Sequence, residues 1–188
     1  RSSDLLREPE FTVHVHVRDY GDPGAYYGAT ERRLFGLGDP VVYYNSRIVP
    51  DRAKFRTTVA HELVHVFQRL VTTTWTTHWI DEATAEWGAF ATVGADDFHA
   101  YAMRRSVPWI HEFPASLRSG LDEEESYAAG AFGIWLAWHY DAGTIGDIYD
   151  LLMLQPTRWY DAPGTLGEVT GDVFPSLYAT FARDFWSQ

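Results

Sequence analysis

The residues most able to do chemistry are His61-Glu62-Leu63-Val64-His65. On a helix, His61 and His65 lie one turn apart on the same face, so both imidazoles can reach one ion. Zinc accepts neutral imidazole nitrogen at about 2.0–2.1 Å and prefers four ligands in a tetrahedron. Glu62 follows the first histidine. From there it can take a proton from a water activated by the metal and pass it to a leaving group. Val59, Leu63, Val66 and Phe67 place the pentapeptide on a core helix. Two histidines and a glutamate buried there need a polar purpose, because unpartnered polar groups are costly to bury.

A third protein ligand is required, and the next helical segment offers two. Trp79-Ile80-Asp81-Glu82-Ala83-Thr84-Ala85-Glu86-Trp87 carries Glu82 and Glu86 at i, i+4, on one face. The small Ala83 and Ala85 would let this helix approach the first closely. One carboxylate can bind zinc, and the other can accept the free N–H of a ligating imidazole and fix its tautomer.

A His-Glu-x-x-His helix, a polar connection and then Trp-x-x-Glu-x-x-Ala-Glu resembles the gluzincin group of zinc metallopeptidases, which includes thermolysin-like proteases and one-zinc aminopeptidases. The resemblance implies one zinc per chain, held by His61, His65 and Glu82, with Glu62 as general base. It implies that Glu86 supports His61 from outside the coordination sphere. Sixteen residues separate His65 from Glu82, and twenty separate it from Glu86. The tryptophan context and the acidic partner four residues on favour Glu82. Ser126-Tyr127-Ala128-Ala129-Gly130-Ala131 is similar to the Tyr-x-x-Gly-Ala helix of the aminopeptidases. That likeness implies a role for Tyr127 in holding the oxyanion, where a phenol donor suits the developing charge. His78, just before the second helix, is the other candidate.

The Gly-x-Met-Glu-Asn signature of the aminopeptidases is missing, which leaves no anchor for a substrate amine and points to an endopeptidase. Val41–Ser46 occupies the place of the gluzincin strand that pairs with extended substrate. Val42, Tyr43 and Tyr44 are therefore expected to bind substrate as an exposed edge. The resemblance covers residues 41–140 and is best to small bacterial gluzincin-like domains, with an extracellular, secreted setting. Protein or peptide is the implied substrate. A gluzincin-like module that binds protein or glycan without cutting is the alternative, and Glu62 counts against it, since a scaffold needs no base.

The elements that must position these residues follow from periodicity. Phe11, Val13, Val15 and Val17 alternate with polar residues, which predicts a strand with one buried face and His14 and His16 in solvent. Residues 19–40 hold seven glycines and prolines and read mostly as loop. A second strand is expected over 41–49, a helix over 52–70 and another over 79–93. Further helices are expected at 96–105, 122–140, 143–155, 164–170 and 174–186. The fold class is α+β: a small, mostly antiparallel sheet beside the active-site helix, then a helical half, in one domain over 1–188. Residues 1–70 form the β-containing half and 71–188 the helical half.

Composition narrows the function classes. The 188 residues contain no cysteine, which excludes thiol nucleophiles and Cys-ligated metal. Fifteen Lys and Arg against 26 Asp and Glu give a net charge of −11, which argues against nucleic acid as partner. The apolar run 128–138 is too short to insert in a membrane. Aromatic residues reach 16 % and are expected mainly in a rigid core. His99, His111 and His139 lack companions at ligand spacing. Asp96-Asp97 and Asp122–Glu125 read as solvated helix starts and not as calcium loops.

Overall fold

The computed structural model describes residues 12–21, 28–32, 39–71, 78–94, 129–155 and 162–186. Three short strands come first: β1 (His14–Arg18), β2 (Gly28–Arg32) and β3 (Pro40–Asn45). A 3-10 turn over Ser46–Ile48 leads into α1 (Arg52–Val71), followed by α2 (His78–Val93). Then come α3 (Ala129–His139), α4 (Gly143–Leu154), α5 (Ala162–Thr170) and α6 (Phe174–Trp186). The architecture is α+β, as the sequence predicts.

The sheet order is β1-β3-β2. β1 pairs parallel with β3, with Val15 opposite Val42, and β2 pairs antiparallel, with Thr30 opposite Val42. The sheet is therefore mixed, not mostly antiparallel as expected. Two corrections follow from this topology. First, β2 lies within the segment read as loop. Gly28-Ala29-Thr30-Glu31-Arg32 has little intrinsic strand preference, and its pairing with β3 supplies the order that propensity does not. Second, β3 is the central strand. Val41 and Val42 are buried, one toward each face, as a strand covered on both sides requires. It ends at Asn45, whose Oδ1 accepts from Arg47 N at 3.1 Å and caps the 3-10 turn. The expected continuation to residue 49 does not occur.

Helix α1 lies on one face of the sheet. Val42 and Tyr44 pack with Val66, and Phe55, Val59 and Leu70 complete that cluster. The predicted apolar stripe differs in two members: Leu63 and Phe67 are exposed, Phe67 at 61 %. The reason is that α1 buries two separate arcs. One is apolar and faces the sheet. The other carries His61, His65 and Gln68 and is equally buried. Leu63 and Phe67 fall on what is left. β1 departs in the same way. Val15 and Val17 are more than half exposed, whereas His16 is half-buried and stacks on Tyr43 at 5.4 Å. Only Val13 of the alternating valines packs against the core, β1 being an edge strand.

The larger core belongs to the helices. Trp79, Ile80 and Ala83 of α2 meet Phe132, Trp135 and Leu136 of α3, Ile145, Ile148 and Leu152 of α4, Leu166 of α5 and Leu177 and Phe181 of α6. Phe132 and Phe181 make an edge-to-face pair at 5.3 Å, a geometry that aromatic quadrupoles favour. Helix α2 is the shared wall, packed on α1 and on α3. Two glycines set its spacing. A Cβ on Gly88 would lie 2.3 Å from Val64 Cγ2, and one on Gly133 would lie 2.3 Å from the Ala83 carbonyl oxygen. The second contact is with backbone, which cannot swing aside. Gly133→Ala is accordingly expected to separate α2 from α3 and lower stability by about 1–3 kcal/mol or more. Urea unfolding of the two proteins would measure this, and equal midpoints would show that the helices are free to adjust.

Most of the other expected helices agree with the observed ones, α5 beginning two residues earlier at Ala162. The segments 96–105 and 122–128 lie outside the described residues. Among the described residues, no helix is long and apolar enough to cross a membrane.

Candidate metal centre

The chemistry-bearing residues meet where α1 faces α2. His61 Nε2 and His65 Nε2 are 3.0 Å apart. The Glu82 carboxylate lies against both, with Oε2 3.2 Å from His61 Nε2 and Oε1 3.3 Å from His65 Nε2. All three side chains are at most 10 % exposed. These three residues form the group among the described residues that could hold a metal ion.

The spacing fits that use. Tetrahedral zinc with bonds of about 2.0–2.1 Å has ligand–ligand edges of about 3.3 Å. The two imidazole nitrogens are 3.0 Å apart, within about 0.3 Å of that edge, and each has one of the two Glu82 oxygens at 3.2–3.3 Å. The donor set points the same way. Two imidazole nitrogens facing each other at hydrogen-bond distance cannot both be bare lone pairs without a cation or proton between them. Glu82 Oε2 is buried and makes no hydrogen bond. A divalent cation satisfies all three groups at once. Two nitrogens and one carboxylate are a donor set zinc accepts, with a fourth place for water.

The surroundings are arranged to attract positive charge. Burial pulls the His61 imidazolium down, but Glu82 and Glu86 more than offset it and hold its pKa well above the ordinary histidine range. His65 is also raised, burial again opposing and Glu82 prevailing. Burial pushes the Glu82 carboxyl up, yet His65 and His61 outweigh it and hold the group well below the usual carboxylate range.

Glu86 Oε1 sits 3.1 Å from His61 Nδ1, the ring nitrogen turned away from the cluster. Glu82 thus faces both Nε2 atoms and Glu86 faces the other nitrogen of His61. Gly130 makes room for the second: a Cβ there would lie 2.8 Å from Glu86 Cβ and Cγ. Gly130 of α3 thus packs on the Glu86 side chain, a contact the sequence likeness does not specify.

Glu62 points out of the cluster toward the sheet. Thr30 Oγ1 is 2.8 Å from Glu62 Oε2 and 3.0 Å from the Glu62 carbonyl oxygen, so its single hydrogen serves one of them at a time. Gly28 lets β2 come this close, since a Cβ there would lie 2.9 Å from Glu62 Cγ and Oε1. Tyr44 is near enough that the Glu62 charge, after burial, helps push its phenol pKa up.

The expected substrate strand is corrected here. Val42, Tyr43 and Tyr44 belong to β3, which is hydrogen-bonded to a strand on each side. Its backbone has no open edge for a peptide, and Val42 and Tyr44 are buried against α1. The strand that borders Glu62 is β2, at the margin of the sheet. Tyr127 and the side chain of His78 lie outside the described residues, as do His99, His111, Asp96-Asp97 and Asp122–Glu125. His14 lies 3.5 Å from Asp39, and His139 stacks on Trp135 at the end of α3. Neither joins the metal group.

Sequence reasoning missed the polar residues behind His65. Gln68 Oε1 meets His65 Nδ1, and its Nε2 donates to the Asp81 carbonyl oxygen and to Thr84 Oγ1, both at 2.8 Å. Tyr149 of α4 reaches the same place. A signal for Gln68 exists: it is three residues after His65 and seven after His61, on the same helical face. Thr30 carries no such signal.

Comparison of the chain with models of protein families, with curated proteins and with solved structures returns no match.

Proposed function

We propose that the protein is a zinc-dependent peptidase of the gluzincin type, acting as an endopeptidase. The observation that carries the reading is the convergence of His61 Nε2, His65 Nε2 and the Glu82 carboxylate, with Glu62 next to the first ligand but outside the cluster. Zinc, when bound, supplies Lewis acidity toward a carbonyl group and toward water. Glu62 takes the proton of the attacking water and returns it to the leaving amine. Thr30 limits where its carboxylate can swing. His61 and His65 present Nε2 lone pairs, with Glu86 holding the far side of the His61 ring. Extended substrate backbone is read by β2, which lies at the sheet margin and touches Glu62. Tyr127 or His78 steadies the oxyanion.

Two measurements test this. Elemental analysis after gentle purification is expected to give one zinc per chain. A proteome-derived peptide library is expected to be cut at internal bonds, with cleavage lost to a chelator and restored by zinc. A chain that neither carries nor takes up zinc removes the metal reading. A zinc-loaded chain that leaves the library intact favours the non-cleaving binding module.

A further inference from the structure

The contacts behind His65 form a chain, and the direction of its links through Gln68 can be deduced. The Asp81 main-chain carbonyl oxygen only accepts hydrogen bonds, so the Gln68 atom 2.8 Å from it must be the amide nitrogen. That fixes the amide: its oxygen faces His65 Nδ1. An amide oxygen also only accepts, so His65 Nδ1 carries a proton and Nε2 is the atom turned to the cluster. The second N–H of Gln68 goes to Thr84 Oγ1. The Thr84 oxygen lies 2.8 Å from Tyr149 Oη, and the Tyr149 hydroxyl donates to Asp81 Oδ1 at 3.1 Å. The single Thr84 hydrogen has two acceptors at 2.8 Å, the Ile80 carbonyl oxygen and Tyr149 Oη. In the rotamer that points it at Tyr149, every donor runs one way: His65 to Gln68, Gln68 to Thr84, Thr84 to Tyr149, Tyr149 to the Asp81 carboxylate. Each link polarises the next, and buried chains of this kind strengthen cooperatively. Gln68, Thr84 and Asp81 are buried and Tyr149 is half-buried.

From this geometry we infer that Gln68, Thr84, Tyr149 and Asp81 are positioning residues for the second metal ligand. They couple His65 Nδ1–H to a remote buried carboxylate, as Glu86 couples directly to His61. The inference rests on the metal reading above, and it connects α4 to the metal centre through Tyr149. Asp81 joins α1 and α2 to the same chain, with Arg69 Nη1 3.8 Å from its other oxygen. His65 is thereby held in one tautomer with its ring plane fixed, which is what supporting hydrogen bonds do for ligating histidines.

The test is zinc titration against a competing chelator, on the full chain and on Gln68→Met, Gln68→Glu and Tyr149→Phe. Gln68→Met is expected to bind zinc about 10–100-fold more weakly. Gln68→Glu keeps an acceptor for His65 Nδ1 and is expected to recover part of that loss. Tyr149→Phe removes one hydroxyl and keeps the ring. It is expected to cost about 3–10-fold, below the range of a direct partner, and it serves where the Gln68 variants fold poorly. Long-range proton–nitrogen NMR of the zinc-loaded protein is expected to show the His65 proton on Nδ1. Unchanged affinity in Gln68→Met and Tyr149→Phe would overturn the inference, and so would a proton on His65 Nε2. A lowered melting temperature of the metal-free variants with wild-type affinity would mark a merely structural role and overturn it too. A wild-type chain that takes up no zinc would remove the metal reading itself, an outcome distinct from zinc uptake with indifferent variants.

Discussion

Glu62→Gln is expected to keep the fold and the zinc and to lose about 10²–10⁴-fold in peptide turnover, the range typical of a removed general base. The geometry separates the two properties. Glu62 is not among the three groups that face one another, so the ligand set stays intact. The substitution is isosteric. The amide oxygen can take the place of Oε2 and accept from Thr30 Oγ1, which is 2.8 Å away in the native protein. Packing against β2 through Gly28 is unchanged in volume. What the amide cannot do is accept a proton. Zinc content, circular dichroism and single-turnover cleavage of one peptide, measured on both proteins, decide the matter. A variant with wild-type turnover removes Glu62 from the mechanism. A variant that has lost its zinc shows instead that Glu62 supports the metal.

How much of the fold and site is legible in the sequence depends on whether the deciding interaction is local. His61 and His65 are one helical turn apart, and so are Glu82 and Glu86. Their faces follow from helix geometry alone, and the structure brings all four together. Helix α6 is a similar case: its expected span, 174–186, is the observed one. The failures are all non-local. Nothing in Gly28–Arg32 marks a strand until β3 is beside it. The chain order of 41–45 says that a strand precedes α1, but not that strands flank it on both sides. Phe67 sits at helical spacing with Val59 and Val66, yet the second buried arc of α1 is taken by His61, His65 and Gln68. A sequence reading takes one buried arc per helix, and α1 has two. Tyr149 is 65 residues from Thr84, so no pattern within a helix could have paired them.

The two acidic residues of α2 should differ sharply when removed, and the difference tests which one is a ligand. Glu82→Ala is expected to cost more zinc affinity than Glu86→Ala, for which the range of a supporting partner, about 10–100-fold, applies. Both changes remove one buried negative charge. Zinc with two neutral imidazoles carries a formal charge of +2, which Glu82, Glu86 and the neighbouring buried Glu62 all oppose. Losing either weakens the buried negative field that favours the cation by the same one charge. That electrostatic cost is common to both variants. Glu82→Ala adds to it the loss of a coordinate bond and leaves two protein ligands, too few to define a tetrahedron. Glu86→Ala instead leaves all three ligands and frees the His61 ring, whose Nδ1 then lacks its partner at 3.1 Å. It also opens space beside Gly130, which water can enter to stand in for the carboxylate. Side-by-side titration with a competing chelator would rank them. If Glu86→Ala proves the weaker binder, the roles are exchanged, and Glu82 becomes the residue that orients the histidines.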